Sequence, residues 1–196
     1  MAGPLLFLLD AVIDPAWADE DAAYLAEVAS NRTTYITAEV ASTVGALLLI
    51  AGMIGVMHLM RGPRVTFGQV AAGIVAVGLI GLTGSLAFSV LDLAMAGFDD
   101  REAMVEFHAE LQDSGPYRAF WLVFSALATV GGLILLAIAL YRSRVVARWA
   151  PLTIGAAALL WYARGGDQAA FIAAWALLTI GFLPLASRVG RLQGVS

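Results

Sequence analysis

The chain has 196 residues, of which 61% are hydrophobic and 13% charged, with a mean hydropathy of +0.85 and a formal net charge of −4. Soluble domains carry about a quarter charged residues, so this composition excludes an ordinary soluble domain and predicts that most of the chain lies in lipid. Cysteine and lysine are absent, which excludes disulfides, thiol nucleophiles and lysine Schiff bases. An arginine-only, alanine- and glycine-rich chain is also typical of a bacterial gene.

The first apolar run covers residues 2–17 and is interrupted by Asp10 and Asp14. No basic residue precedes its apolar stretch, so the run lacks the positively charged start of a signal peptide. We interpret it as a short or truncated first membrane helix. A half-inserted helix, or a start site placed downstream of the natural one, is the alternative interpretation.

Five more apolar runs follow along the chain. A membrane-spanning helix needs about 20 apolar residues, and four of these runs are long enough while the run at 146–163 is short. The predicted fold is an all-α polytopic transmembrane bundle of about six helices, forming a single integral membrane domain over residues 1–196. The long runs cover residues 36–60, 66–97, 117–141 and 168–187.

The connecting segments predict the orientation of the bundle in the membrane. Seven arginines and no acid lie in RGPR, YRSRVVAR and SRVGR, whereas the other connections hold nearly all the carboxylates. The positive-inside rule places arginine-rich segments in the cytoplasm. We therefore expect cytoplasmic turns at about 61–65 and 142–148, external loops at about 18–35 and 98–116, and a cytoplasmic C-terminus. For a bacterial protein this is the inner membrane.

Both expected external loops are predicted to form short amphipathic helices. At about 100° per residue the acids of FDDREAMVEFHAELQDSG share one stripe, while Met104, Phe107, His108 and Leu111 lie on the other side. Asp99 or Asp100 is the expected cap at the start, and Ser114-Gly115-Pro116 ends the helix. We expect the apolar side to pack onto the bundle and the acidic stripe to face water, with a cation- or partner-docking surface as the alternative for that stripe.

Several carboxylates lie within or at the ends of the apolar runs. Ionisable groups at membrane depth are costly and usually face the bundle interior or a water-filled cavity. Glu39 and Asp92 are the stronger candidates, because their flanks are apolar on both sides. The predicted ligand-binding site is an outward-facing polar pocket in which arginines are the counter-ions; its residues are Glu39, Asp92, Asp10, Arg118, Arg164 and Trp121. The alternative is that these groups reach out to water or form structural ion pairs.

The sequence shows no catalytic or cofactor motif. GxSxG, HExxH and GxxxxGK are all absent. His58 and His108 fall on opposite sides of the predicted membrane, so we expect no haem and no multi-histidine zinc site. A metal held by His108 with Glu39 or Asp92 is the weaker alternative. Glycines such as Gly52 and Gly81 would let helices approach closely, although glycine is also common in membrane helices.

The order of elements resembles a group of uncharacterised bacterial six-helix membrane proteins catalogued as a domain of unknown function. The residues that carry the resemblance are LLFLLDAVIDPAW, DAAYLAEVASNRTTYITAE and the arginine-rich turn that enters Trp149-Ala150-Pro151. The resemblance implies a fold and a membrane location. It implies no activity.

These patterns favour a non-enzymatic membrane protein. The leading hypothesis is that it binds a lipid-like or small amphiphilic ligand, or a partner helix, through the outward-facing pocket. The alternative is a small ion- or proton-coupled transporter that uses Glu39 and Asp92, and a membrane enzyme is the third candidate. Membrane lipids are the expected partners, with a second copy of the chain or a partner membrane protein left open; no nucleic acid and no cofactor are expected.

Overall fold

The computed structural model describes residues 2–60, 65–163 and 167–193, and this described part is all-α. The helices are α1 (Ala2–Ile13), α2 (Asp21–Ser30), α3 (Arg32–Leu59), α4 (Val65–Thr83), α5 (Ser85–Met95), α6 (Arg101–Asp113), α7 (Gly115–Trp121), a π-helical segment (Leu122–Gly131), α8 (Gly132–Ser143), α9 (Trp149–Ala163) and α10 (Gln168–Gln193). Of the predicted turn at 61–65, residues 61–64 lie outside the described residues.

Four helical stretches of the described chain are long and apolar enough to cross a membrane: Arg32–Leu59, Val65–Met95, Gly115–Ser143 and Gln168–Arg188. At 1.5 Å per residue the 28 residues of α3 extend roughly 42 Å, which exceeds the hydrocarbon thickness of about 30 Å. The 12 residues of α1 and the 15 of α9 extend only roughly 18 and 22 Å. The structure therefore shows four candidate spans and two shorter apolar helices.

The outward faces of the long helices carry large apolar residues that are about half exposed. On α3 these include Val40, Leu47 and Ile54, and on α4 they include Val70 and Val77. An apolar surface this extensive is unstable in water and stable against lipid acyl chains. The chain is thus a membrane protein.

The helices close into a ring. Neighbours contact in the order α1, α3, α4, the π-helical segment with α8, α9, α10 and back to α1. Two ends can be distinguished by charge. We call the end with α2 and α6 the acid end, and the opposite end, where Arg142, Arg144 and Arg148 flank the α8–α9 turn, the arginine end.

The half of the bundle nearest the arginine end is tightly packed. Leu136, Leu140 and Ile154 are fully buried there, and only a void of about 10 Å³ lies between α3, α4, α8 and α10. Gly132 allows α8 to touch α4, because a β-carbon at this position would lie 2.9 Å from the backbone nitrogen of Val75.

Two helices change their geometry in the other half. The α4–α5 helix tightens at Gly84, whose N–H donates to the Gly81 carbonyl at 2.8 Å, a three-residue step. The helix after Trp121 widens into the π-helical segment, where the Thr129 hydroxyl donates to the carbonyl of Phe124, five residues earlier, at 2.7 Å. π-Helical turns are rare and occur mostly at functional sites.

Helix α6 follows the predicted amphipathic segment, but its buried face is rotated. The Asp100 side chain accepts a hydrogen bond from Ala103 N, which confirms it as the cap. His108 is the buried residue of α6, with Met104 and Leu111 half-buried beside it. The expectation that Phe107 packs onto the bundle is wrong, since its side chain is 45% exposed. The polar contacts of His108, described below, set this rotation.

Candidate functional site

A chamber of about 330 Å³ opens in the acid-end half of the bundle. Helices α1, α3, α5, α7, α9 and α10, the π-helical segment and the loop after α1 all contribute side chains to it. Its lining combines acids, hydroxyls and aromatic rings: Asp10, Asp14, Glu39, Asp92, Ser42, Ser85, Ser89, Ser125, Tyr24, Tyr35, Tyr117, Phe7, Trp17, Phe88, Trp121, Trp161, Phe171 and Trp175, with Ala16, Ala46 and Leu82. We refer to it below as the chamber.

The four carboxylates of the chamber come from four parts of the chain. Asp10 lies on α1, Asp14 follows α1, Glu39 lies in the first turns of α3, and Asp92 lies near the end of α5. Asp10 and Asp92 are buried, whereas Asp14 and Glu39 are half-buried. Asp10, Glu39 and Asp92 lie on largely apolar helices, and the interior of the bundle provides the polar environment that these side chains need.

Asp92 is the best-bonded acid of the chamber. The hydroxyls of Tyr24 and Tyr35 donate to its Oδ2 at 3.0 and 3.2 Å, and the two hydroxyls lie 3.0 Å apart. Burial, reinforced by the Asp92 carboxylate, raises the pKa of Tyr24 far above its ordinary value. Tyr24 therefore stays protonated and acts as a donor. These bonds join α2 and α3 to α5.

His108 connects α6 to the same network. It is 3% exposed, its Nδ1 lies 2.7 Å from Asp21 Oδ1, and its Nε2 lies 3.5 Å from Asp92 Oδ1. Its ring stacks on Tyr24 with centroids 5.3 Å apart. Burial lowers the pKa of His108, but the hydrogen bonds and charges of Asp92 and Asp21 outweigh it, so the pKa lies above the ordinary value. The imidazolium form is stabilised between two carboxylates.

The loop after α1 forms the rim of the chamber. Glu27 on α2 accepts hydrogen bonds from the backbone N–H groups of Trp17 and Ala18 at 3.0 and 3.2 Å, and the Trp17 indole donates to the Asp14 carbonyl at 2.9 Å. Burial raises the pKa of Asp14 to about 6, although a hydrogen bond from the Ala16 N–H opposes the shift. Asp14 thus titrates close to neutral pH at the chamber rim.

Two groups of aromatic rings form walls of the chamber. On α1, α9 and α10, Phe7 stacks on Trp175 with centroids 4.0 Å apart, and Trp161 lies 5.0 Å from Trp175. On α5 and α7, Phe88 and Tyr117 meet edge to face at 5.0 Å. Stacked and edge-to-face rings of this kind form a rigid apolar surface. The chamber therefore combines acidic groups with walls of aromatic rings.

The structure brings together most of the residues predicted for the site. Glu39, Asp92, Asp10 and Trp121 all line the chamber. Arg118 does not, since its exposed guanidinium pairs with the exposed Asp113 at the end of α6. Arg164 lies outside the described residues. In the part of the chain that the structure describes, no arginine lines the chamber, so the counter-ion expected from Arg118 is used elsewhere.

A metal site finds no support in the geometry. Within residues 2–60, 65–163 and 167–193, no group of three or more histidine, aspartate or glutamate side chains is arranged to hold a metal ion. His108 hydrogen-bonds Asp21 at 2.7 Å, and its Nε2 lies 3.5 Å from Asp92.

Sequence reasoning missed several residues of the site. Tyr24 and Tyr35 were expected only as part of the external loop at about 18–35, yet both bond Asp92. His108 was expected on the side of α6 that packs onto the bundle and is buried there, but its contacts with Asp21 and Asp92 were not expected. A tyrosine or histidine on an otherwise apolar helix face is the signal that could have identified them, because such a group needs a buried hydrogen-bond partner.

Comparisons with protein-family models, with curated proteins and with solved structures found no match for this chain. The resemblance to six-helix membrane proteins of unknown function therefore stays a prediction.

Proposed function

We propose that the protein is a non-enzymatic membrane protein that binds a small amphiphilic ligand in the chamber. The observation that supports this is a chamber of about 330 Å³ inside the bundle that is lined by four carboxylates, four serines and several aromatic rings. Empty volume lined by polar groups is costly in a membrane bundle unless water or a ligand fills it. Pockets of this size, mostly aromatic with a few polar groups, are typical of small-molecule sites.

The size of the chamber selects among the ligands considered from the sequence. A helix is about 10 Å across with its side chains, which is too wide for a chamber of about 330 Å³. A lipid-like headgroup or a small amphiphile fits this volume, with its polar part among the acids and its apolar part against the Trp175 and Phe88 walls. A ligand of this kind would reach the chamber from the acid end.

We also propose that six helices are embedded in the membrane, with the acid end outside and the arginine end in the bacterial cytoplasm. The sorting of arginines from acids supports this orientation. The chain has no cysteine, so single cysteines report the topology cleanly. In intact cells, Ser114→Cys at the acid end should react with an impermeant thiol reagent and Ser143→Cys should not. If Ser143→Cys were labelled and Ser114→Cys were not, the orientation would be the opposite of the one proposed.

Filling the chamber tests the binding function. Ser42 is half-buried in the chamber lining on α3, and Ser143 is exposed at the arginine end. We expect the wild-type protein to co-purify with a bound small molecule in native mass spectrometry, Ser42→Trp to lose it, and Ser143→Trp to keep it. Both variants should remain folded by circular dichroism. An unchanged mass spectrum for Ser42→Trp, or no bound molecule in any preparation, would contradict the proposal.

Proton-coupled transport is the second candidate, because two helices that line the chamber depart from α-geometry at Gly84 and over Leu122–Gly131. Broken helices beside a binding site are a feature of secondary transporters. In proteoliposomes, transport predicts that an imposed pH gradient drives uptake of the ligand and that Glu39→Gln abolishes it. Binding without uptake, in the wild type as in Glu39→Gln, would eliminate this candidate.

A further inference from the structure

The buried carboxylate of Asp10 stands apart from the other acids of the chamber. Its residue is 8% exposed, it lines the chamber, and within the described residues its side chain has no hydrogen-bond or ion-pair partner. Asp92, by contrast, is bonded by two tyrosines and approached by His108. A buried carboxyl group without a partner is costly and must take up either a proton or a cationic partner.

The charges near Asp10 increase its demand for a cation. Glu39 and Asp14 are its electrostatic neighbours, and both repel a negative charge on Asp10. In the part of the chain that the structure describes, no arginine lines the chamber to compensate. The imidazole of His108 is occupied by Asp21 and Asp92. The region around Asp10 therefore carries an excess of negative charge that the described residues do not neutralise.

The walls of the chamber discriminate between kinds of cation. A small inorganic ion requires ligands that converge on one point, and no metal-binding group of three acids or histidines occurs among the described residues. Aromatic faces attract organic cations, most strongly those of tryptophan. Trp175 and Trp161, which are 5.0 Å apart between ring centroids, line the chamber together with Asp10. An extended ligand can reach both the acids and the rings.

We propose that the chamber binds an organic ammonium ion, with Asp10 as its counter-ion and the tryptophan wall against its apolar part. This inference rests on the proposed binding function and names its ligand class. A protonated amine suits the site better than a quaternary ammonium, because its N–H groups also supply the hydrogen bonds that Asp10 lacks. Glu39 and Asp14 contribute to the negative potential that favours the cation.

Three probes of nearly equal size separate charge from shape. 2-Phenylethylamine is protonated at neutral pH, 2-phenylethanol replaces the ammonium with a neutral hydroxyl, and 3-phenylpropanoate carries a carboxylate. We expect 2-phenylethylamine to bind the purified protein in neutral nanodiscs at least tenfold more tightly than 2-phenylethanol, and 3-phenylpropanoate to show no binding. Isothermal titration calorimetry at pH 7 measures all three, with sodium chloride at constant ionic strength as the inorganic control.

Variants identify the counter-ion. Asp10→Asn keeps the shape and removes the charge, so it should lower affinity for 2-phenylethylamine at least tenfold while leaving that for 2-phenylethanol unchanged. Glu39→Gln should cause a smaller loss, and it keeps the test valid if Asp10→Asn fails to fold. Asp113→Asn is the matched control, since Asp113 is exposed and pairs with Arg118 at the end of α6. It should bind as the wild type does.

The outcomes distinguish the ligand class from the binding function itself. Equal binding of the amine and the alcohol, both abolished by Ser42→Trp, would overturn the ammonium proposal and leave the binding function intact. Tighter binding of 3-phenylpropanoate than of 2-phenylethylamine would also overturn the ammonium proposal and leave the binding function intact. Amine binding that survives both Asp10→Asn and Glu39→Gln would remove Asp10 as the counter-ion and overturn the proposal. If none of the probes binds and the wild type carries no ligand, both the ammonium proposal and the binding function fail.

Discussion

At the arginine end of the bundle the helices meet through aliphatic side chains and glycines, whereas at the acid end they meet around carboxylates, hydroxyls and aromatic rings. Near the arginine end Leu140 and Ile154 are fully buried, and the void between α3, α4, α8 and α10 is about 10 Å³, although an apolar groove of about 460 Å³ lies between α8 and α9. Near the acid end the same helices surround a chamber of about 330 Å³. One chain therefore contains a tightly packed half and an open half.

The difference shows what polar groups do to packing in a membrane. Aliphatic side chains interdigitate until no space remains, and glycines such as Gly132 bring the backbones together. Carboxylates cannot be packed in this way, because each needs hydrogen bonds or a counter-ion and several of them repel one another. The acid half therefore keeps a space that water or a ligand can fill.

The largest expected effect is a cavity in the packed half. Leu136 on α8 is fully buried, and Ile138 on the same helix is 42% exposed. Leu136→Ala should lower the free energy of unfolding by about 2–5 kcal/mol, while Ile138→Ala changes it little. Unfolding in mixed micelles with increasing denaturing detergent measures both. Similar losses for the two variants would show that this half is not packed as described.

His108 should produce the next largest effect, and this effect depends on pH. Its pKa is raised in the folded protein from the ordinary value of 6.5. The stabilisation is thus fully present below about 6.5 and is lost as pH rises through the higher folded value. Asp21, Asp92 and Tyr24 are the titratable groups that face it. Hydrogen bonds to charged groups contribute about 1.5–3 kcal/mol each.

Thermal midpoints measured from pH 4 to pH 9 test this dependence. His108→Gln should be less stable than the wild type at low pH, and the gap should narrow as pH rises. Asp14 contributes a separate change at lower pH. Its pKa is raised to about 6 in the folded protein, so its contribution to stability is lost as pH rises from about 4 to about 6. His58→Gln, at an exposed position, is the control. A gap that widens with pH would contradict the His108 network.

A smaller effect is expected from a matched pair of glycines. A β-carbon at Gly81 would lie 2.0 Å from Phe124 Cδ1, whereas one at Gly52 would meet nothing within 4 Å. Gly81→Ala should cost about 1–3 kcal/mol, since the Phe124 ring must shift in a packed contact. Gly52→Ala should be neutral or slightly stabilising because alanine favours helix. Equal thermal midpoints for the two variants would place Phe124 away from α4.

The smallest effect should come from the exposed ion pair of Asp113 and Arg118. Surface pairs of this kind contribute about 0–1 kcal/mol. Asp113→Asn should therefore leave the thermal midpoint nearly unchanged, and high salt should erase any difference that remains. A large loss of stability would mean that the end of α6 is held mainly by this pair and not by His108.

Much of the fold could be predicted from the sequence. Long apolar runs predicted the candidate spans, and the polar breaks between them predicted most helix ends, because hydropathy is a local property that needs no knowledge of neighbours. The cap at Asp100 and the stop before Gly115 were also readable, since capping depends on a few adjacent residues. The shortness of α9 followed in the same way from its run of apolar residues.

The sequence predicted which acids line the site but not which residues contact them. Glu39, Asp92, Asp10 and Trp121 were expected in one pocket and do line the chamber, because membrane depth alone forces such groups inward. Pairing across helices depends on how each helix is rotated, which single-chain periodicity does not fix. The expected pairing of Arg118 with the pocket acids was therefore wrong, and the contacts of His108 with Asp21 and Asp92 were missed.

The sequence by itself determined that this is an all-α membrane protein whose acids and arginines collect at opposite ends, since composition and hydropathy set those features locally. Only the tertiary structure decided which polar groups meet. The exposure of Phe107, the contacts of His108 with Asp21 and Asp92, and the two tyrosines on Asp92 all depend on residues far apart in the chain, and so does the absence of a partner for Asp10 among the described residues. Such contacts follow from the geometry of the closed ring, in which every helix fixes the face that its neighbours present.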